Sequence, residues 1–183
     1  ARAFEGTSLK GELHLPKNLA AIGENTFCGC DFSGTLVLPD GLRSIGDKAF
    51  AYNWRLMGVL EFPEGIQSIG AGAFAQCRSI EGLVFPESLE NIRYEVSWGE
   101  NGGAFQNCFG IGSIVCKGTI PAYVQAGAFD GVPKDNFTLE VPEPVVAQYQ
   151  VTPGWSDFKR IAAHRELVCR PALATAINTE CVR

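Results

Sequence analysis

The sequence predicts a repeat solenoid: a β-rich right-handed coil of about five to six rungs of 23–24 residues, closed by a terminal cap. Three observations predict it. An apolar segment ending in proline recurs at Pro16, Pro39, Pro63 and Pro86, in steps of 23, 24 and 23. A phenylalanine recurs at Phe4, Phe27, Phe50 and Phe74, in steps of 23, 23 and 24, and after one step of 31 to Phe105 the spacing returns to 24 at Phe129. Between proline and phenylalanine stands Ile-Gly, as Ile22-Gly23, Ile45-Gly46 and Ile69-Gly70.

Each rung can be justified in order along the chain. Leu13 and Leu15 alternate with Glu12 and His14, the period-two signature of a strand buried on one face. Pro16 has no N–H to give to a ladder, so it ends that strand. Leu19 and Ile22 supply a second apolar pair, and Gly23 permits a turn. Phe27 supplies the largest core side chain, expected to stack on the Phe of the next rung. Asp40-Gly41 and Glu64-Gly65 read as solvent turns. One rung cannot bury its apolar face alone. Parallel strands stack at about 4.8 Å, so the array is expected to be roughly 25–30 Å long.

The recurring pattern is Leu/Ile-x-x-Pro-x-x-Leu/Ile-x-x-Ile-Gly-x-x-Ala-Phe-x-x-Cys. It stands as Leu36 to Pro39, Leu42, Ile45-Gly46 and Ala49-Phe50, and again as Leu60 to Pro63, Ile66, Ile69-Gly70, Ala73-Phe74 and Cys77. It closely resembles the BspA-like (Treponema-type) leucine-rich repeat family, over residues 1–161. The segment Leu139-Glu140-Val141-Pro142, then Tyr149, then Trp155 to Ile161 resembles the terminal rung of such arrays and is expected to cap them, at about 139–161. Residues 162–183 lie outside the repeat and read as a tail or linker toward a further domain. The pattern departs at Ile92-Arg93, in the loop that follows, and in the weakly matching rung 114–132, where strict solenoid geometry is expected to loosen. Ala3-Phe4 fills the Ala-Phe column, so the chain is expected to begin within a repeat.

Composition narrows the function. The chain has 183 residues, 46% hydrophobic, with net charge −5 and pI about 5.1. An acidic chain without a basic stripe argues against nucleic acid as partner. No apolar run approaches the ~18 residues of a membrane span. Seven cysteines are an odd number, against a complete internal disulfide framework. Cys30, Cys77 and Cys108 share a column with Asn53, which reads as an inward turn position where a thiol packs or an amide bonds free backbone groups. Cys28 shares a column with Ala51, Ala75 and Gln106 and is expected nearer the surface. Cys28-Gly-Cys30 lacks the spacing of a zinc half-site. Cys169 and Cys181 could pair; spacing leaves that open.

Catalytic motifs dissolve into the repeat. Gly70-Ala71-Gly72-Ala73-Phe74-Ala75 fits a loose dinucleotide fingerprint, but the same columns hold Gly46-Asp47-Lys48-Ala49-Phe50 one rung earlier. Gly154-Trp155-Ser156-Asp157-Phe158 lacks the last glycine of a nucleophile elbow. His14 and His164 read as surface residues. Glu61 and Glu140, a possible glycosidase pair, are expected several rungs apart on one outward column. No cofactor or metal is expected.

Two features break the period or face outward, so core packing does not demand them. The insertion from Arg93 to Gly103 carries Tyr94 and Trp98 beside Gly and Asn, a composition suited to contact surfaces. The alternative is that both aromatics fold down over a widened rung. The outward strand column His14, Val37, Glu61, Val84, Val115 and Glu140 forms an apolar stripe with charged ends. The expected function is binding, with a protein or glycan as ligand and no catalysis; the family resemblance implies a bacterial exported or cell-surface adhesion module. The alternative is a structural spacer or accessory module of a larger surface protein.

Overall fold

The computed structural model describes residues 2–7, 9–95 and 102–164. It is a parallel β-solenoid of about six turns with almost no helix. One sheet gathers β6 (Gly58–Glu61), β8 (Ile80–Phe85), β10 (Ser113–Cys116), β12 (Leu139–Val141) and β13 (Ile161–Ala163), in that order and all parallel. A second gathers the Ile-Gly strands: β2 (Ala21–Ile22), β4 (Ser44–Ile45), β7 (Ser68–Ile69), β9 (Asn91–Ile92) and β11 (Tyr123–Val124). A third, of three strands, joins the early rungs through β1 (Lys10–Gly11), β3 (Asp31–Gly34) and β5 (Arg55–Leu56).

The Ala-Phe turns close each rung by bonding to the next, as in Phe27 N–H to Ala49 O at 2.8 Å and Phe50 N–H to Ala73 O at 2.8 Å. The phenylalanines stack as expected. Ring centroids lie 5.6 Å apart for Phe4–Phe27, 5.3 for Phe27–Phe50, 5.2 for Phe50–Phe74, 5.5 for Phe74–Phe105 and 5.4 for Phe105–Phe129, all near parallel. Phe50, Phe74 and Phe105 have no exposed surface, whereas Phe4 at the first turn is 43% exposed. At the other end Trp155 lies against Phe129 at 5.6 Å and Tyr149 against Trp155 at 5.5 Å. Their polar atoms are satisfied: Trp155 Nε1 donates to Ala122 O (2.8 Å), and the Tyr149 hydroxyl donates to Gly118 O (3.0 Å). A short helix α1 (Val146–Val151) carries Tyr149 into place.

The cysteine column is a hydrogen-bond ladder. Cys30, Cys77 and Cys108 donate their thiol protons to the backbone oxygens of Phe4, Phe50 and Phe74, one rung back, at 3.1–3.2 Å. Asn53 does the same through Nδ2, to Phe27 O and Phe50 O, both at 2.8 Å. Burial pushes the Cys77 thiol up to about 12 and raises Cys108 well above its ordinary value.

Three expectations need correction. Cys28 is not near the surface: it is buried with Ala51 and Ala75 in a small flanking cluster against Tyr52. The solenoid does not loosen after residue 92, since β10 and β11 continue both main sheets. The Leu-x-Leu-Pro segments of the first two rungs are not ladder strands. Leu13 and Leu15 are half-buried against the core, and Leu36 and Leu38 are buried, but pairing in these rungs falls earlier, on β1 and β3. Gly11, Gly34 and Gly58, each five residues before its proline, hold φ of +87°, +84° and +77°; the ladder stops at Gly11 and Gly34, whereas at Gly58 it continues into β6 after a register shift between Gly58 and Val59. In the fourth rung Gly82 stands only four residues before Pro86, and β8 runs straight through.

Candidate binding surfaces

The outward column divides in two. Glu61, Val84, Val115 and Glu140 are direct register partners on neighbouring strands: Glu61 opposes Val84, Val84 opposes Val115, and Val115 opposes Glu140. Val84, Val115 and Glu140 are half-exposed and Glu61 is exposed. Three strand spacings separate Glu61 from Glu140, about 14 Å, beyond the reach of a glycosidase carboxylate pair. His14 and Val37 belong to the unpaired segments; His14 is exposed and Val37 is 72% exposed.

The unpaired segments border two clefts on this face. One, of about 350 Å³, lies between Leu13–Lys17 and Val37–Asp40 and includes His14. The other, of about 410 Å³, lies between residues 35–40 and 59–64; Val37, Val59 and Glu61 line it, with Lys117 at its edge 3.9 Å from Glu64.

A third cleft, of about 380 Å³, lies beside the last rungs and includes Cys116, Lys117, Thr119, Glu143 and His164. His164 Nδ1 is 2.6 Å from Glu140 Oε2, so the second histidine partners the end of the outward column. Burial raises the Cys116 thiol, which keeps it protonated and a poor nucleophile.

The described ends of the period-breaking insertion, residues 93–95 and 102–104, pair with each other. Tyr94 and Gly103 form an antiparallel bridge, Glu95 N–H donates to Gly102 O (3.1 Å) and Ala104 N–H to Arg93 O (3.1 Å). Tyr94 is half-buried and its ring lies so close to Gly127 that a Cβ there would meet it at 2.8 Å. Its N–H bonds Gln125 Oε1 (2.8 Å). Arg93, in the column that holds Gly46 and Gly70, reaches back to Asp47 at 3.1 Å. Trp98 lies outside the described residues, as do Cys169 and Cys181.

Sequence reasoning missed one surface. The residues after the cysteine column form a row in which Asp31 is half-buried and Trp54, Arg78 and Phe109 are large and exposed, with Trp54 58% and Phe109 53% exposed. The Arg78 guanidinium lies 5.7 Å from the Phe109 ring centroid and bonds Gln76 Oε1 at 2.8 Å. The signal was present, since each follows a column already recognised as inward. Among the described residues no cluster of His, Cys, Asp or Glu could hold a metal, and no helix is long and apolar enough to cross a membrane.

Stacked rungs, a buried aromatic core and variable outward columns define a repeat scaffold. A model of the BspA-type leucine-rich repeat region matches residues 1–134 in six copies, and the chain belongs to that family. No curated protein matches it.

Proposed function

We propose that this chain is a non-catalytic binding module of a bacterial exported or cell-surface protein, and that it holds a protein or glycan ligand on its outward strand face. The observation that carries this reading is the unbroken register Glu61–Val84–Val115–Glu140, which sets an apolar stripe with acidic ends on a rigid sheet. Membership in a leucine-rich repeat family supports it, since such modules typically engage other proteins. The insertion is the second candidate surface. Its Tyr94 ring is half-buried against Gly127, and Tyr94 and Trp98 are its candidate contact residues.

The test is a binding screen against extracellular-matrix proteins and glycans with three proteins: the parent, a Val84→Lys/Val115→Lys variant and a Tyr94→Ala/Trp98→Ala variant. Ligands lost only by the lysine variant place the site on the strand face. Ligands lost only by the aromatic variant place it in the insertion. Absence of any ligand would overturn the binding reading and leave the chain as a spacer.

A further inference from the structure

We propose that the larger cleft is a strand-acceptor site, which takes an extended peptide with alternating aliphatic and Lys or Arg side chains by β-augmentation. This rests on the binding-module reading and names the partner's chemistry.

The geometry begins at an interrupted ladder. Met57 N–H donates to Gly34 O at 3.0 Å, and a Cβ on Gly58 would lie 3.0 Å from Thr35 Oγ1, so the second and third rungs touch there. Beyond that contact they part. β6 is the terminal strand of its sheet, bonded only to β8. Phe62 N–H donates to Val84 O at 3.0 Å, on the β8 side. Backbone groups alternate sides along a strand, so Val59 and Glu61 turn their N–H and C=O groups the other way, into the cleft. The side chains of the facing wall, residues 35–38, alternate in burial as in a strand, yet its backbone groups have no hydrogen-bond partner among the described residues. Both walls therefore offer unspent donors and acceptors around a cleft of about 410 Å³. An open edge of this kind is a template for an added strand.

The lining sets the peptide's side chains. Leu36, Leu38 and Phe62 form an apolar floor, which suits aliphatic residues pointing inward. Asp40, Glu61 and Glu64 stand at the mouth against a single cation, Lys117, itself paired with Glu64. The excess of carboxylates suits Lys or Arg on the outward-pointing alternates. Residues 35–38 are four residues long, about 13 Å of strand, so three to four peptide residues are gripped.

The probe is a fluorescein-labelled octapeptide alternating Val and Lys, followed by polarisation, beside a copy N-methylated at alternate backbone nitrogens. The expected result is that N-methylation weakens binding about tenfold or more, since side chains are kept but donors are lost. Glu61→Lys/Glu64→Lys should weaken it similarly without shifting the melting temperature, both side chains being exposed. Bound peptide should slow amide exchange at Val59 and Glu61. Equal binding of the N-methylated peptide, or protection confined to other strands, overturns the proposal. Concentration-dependent dimers that protect the same amides without peptide also overturn it, and assign the edge to a second copy. If ligands from the screen are lost with Val84→Lys/Val115→Lys but kept with Glu61→Lys/Glu64→Lys, the binding module stands and the strand-acceptor site falls.

Discussion

Asn53 is the one amide in a column of thiols, and it does the thiols' work at a cost. Its Nδ2 closes Phe27 O and Phe50 O, but its Oδ1 is buried without a partner. Asn53→Ala should destabilise by about 2 kcal/mol, because the buried Phe27 O loses its side-chain donor, whereas Phe50 O keeps the Cys77 thiol. Asn53→Cys should stay within about 1 kcal/mol of the parent, because Cys77 and Cys108 show that a thiol satisfies the same oxygen and removes the orphaned acceptor. Urea denaturation compares them; a cysteine variant as weak as the alanine one would break the ladder argument. The thiols also impose a pH dependence. The folded Cys77 value is raised above the unfolded one, so the neutral form is favoured by folding. Its contribution is whole below about pH 9 and is lost as pH rises from there toward 12. Each such buried thiol should remove about 1.4 kcal/mol per pH unit in that window. Melting temperatures between pH 7 and 11 check this, and Cys77→Ala should flatten the alkaline slope. The inward role of this column was legible from its mixed Cys and Asn occupancy. That of Cys28 was not, because Cys, Ala and Gln in one column are compatible with either face.

At the scale of the element, periodicity reported burial faithfully and pairing poorly. Leu36 and Leu38 are inward and Val37 outward, as alternation demands, but alternation records only where side chains point. Whether a ladder forms is decided by backbone geometry, which alternation does not record: the same left-handed glycine precedes the unpaired segment at Gly34 and the paired strand at Gly58. The clefts were therefore invisible in the sequence, although the residues that line them, His14, Val37 and Glu61, stood out as an outward column. The phenylalanine stack was fully legible because one residue type recurs at one spacing. Phe74→Ala should cost about 3–5 kcal/mol, since the ring is fully enclosed between two neighbours. Glycine in the Ile-Gly turn has a different reason. A Cβ on Gly70 would lie 2.5 Å from the carbonyl carbon of Gly46 and 2.6 Å from Asp47 N, backbone that cannot step aside. Gly70→Ala should cost about 1–3 kcal/mol by overpacking. A thermal shift of the same sign for Gly112→Ala, whose Cβ would meet its nearest atom at 3.9 Å, should be smaller; equal losses would sink the contact argument.

The whole molecule is a line of nearest-neighbour contacts, so its stability has a direction. Early and late rungs are built differently. The first two rungs join the Ile-Gly sheet through β2 and β4 but take no part in the sheet that starts at β6. The late rungs are covered by Trp155, Tyr149 and Phe158, all buried, with indole and phenol donors bonded to the rungs beneath. Opening should thus begin at the early rungs and spread along the coil. Native-state hydrogen exchange is expected to show amides such as Phe27 and Gly29, which bond Ala49 O and Ala51 O, exchanging at lower free energy than Phe74 and Phe105, which bond Ala104 O and Ala128 O. Trp155→Ala should reverse part of that gradient. It leaves a cavity over Phe129 that costs about 3–5 kcal/mol locally, and it should loosen Phe105 and Ala128 before Phe27. Uniform protection from the first rung to the last, in both proteins, would mean that the coil melts as one unit and that Trp155 and its neighbours give no directional advantage.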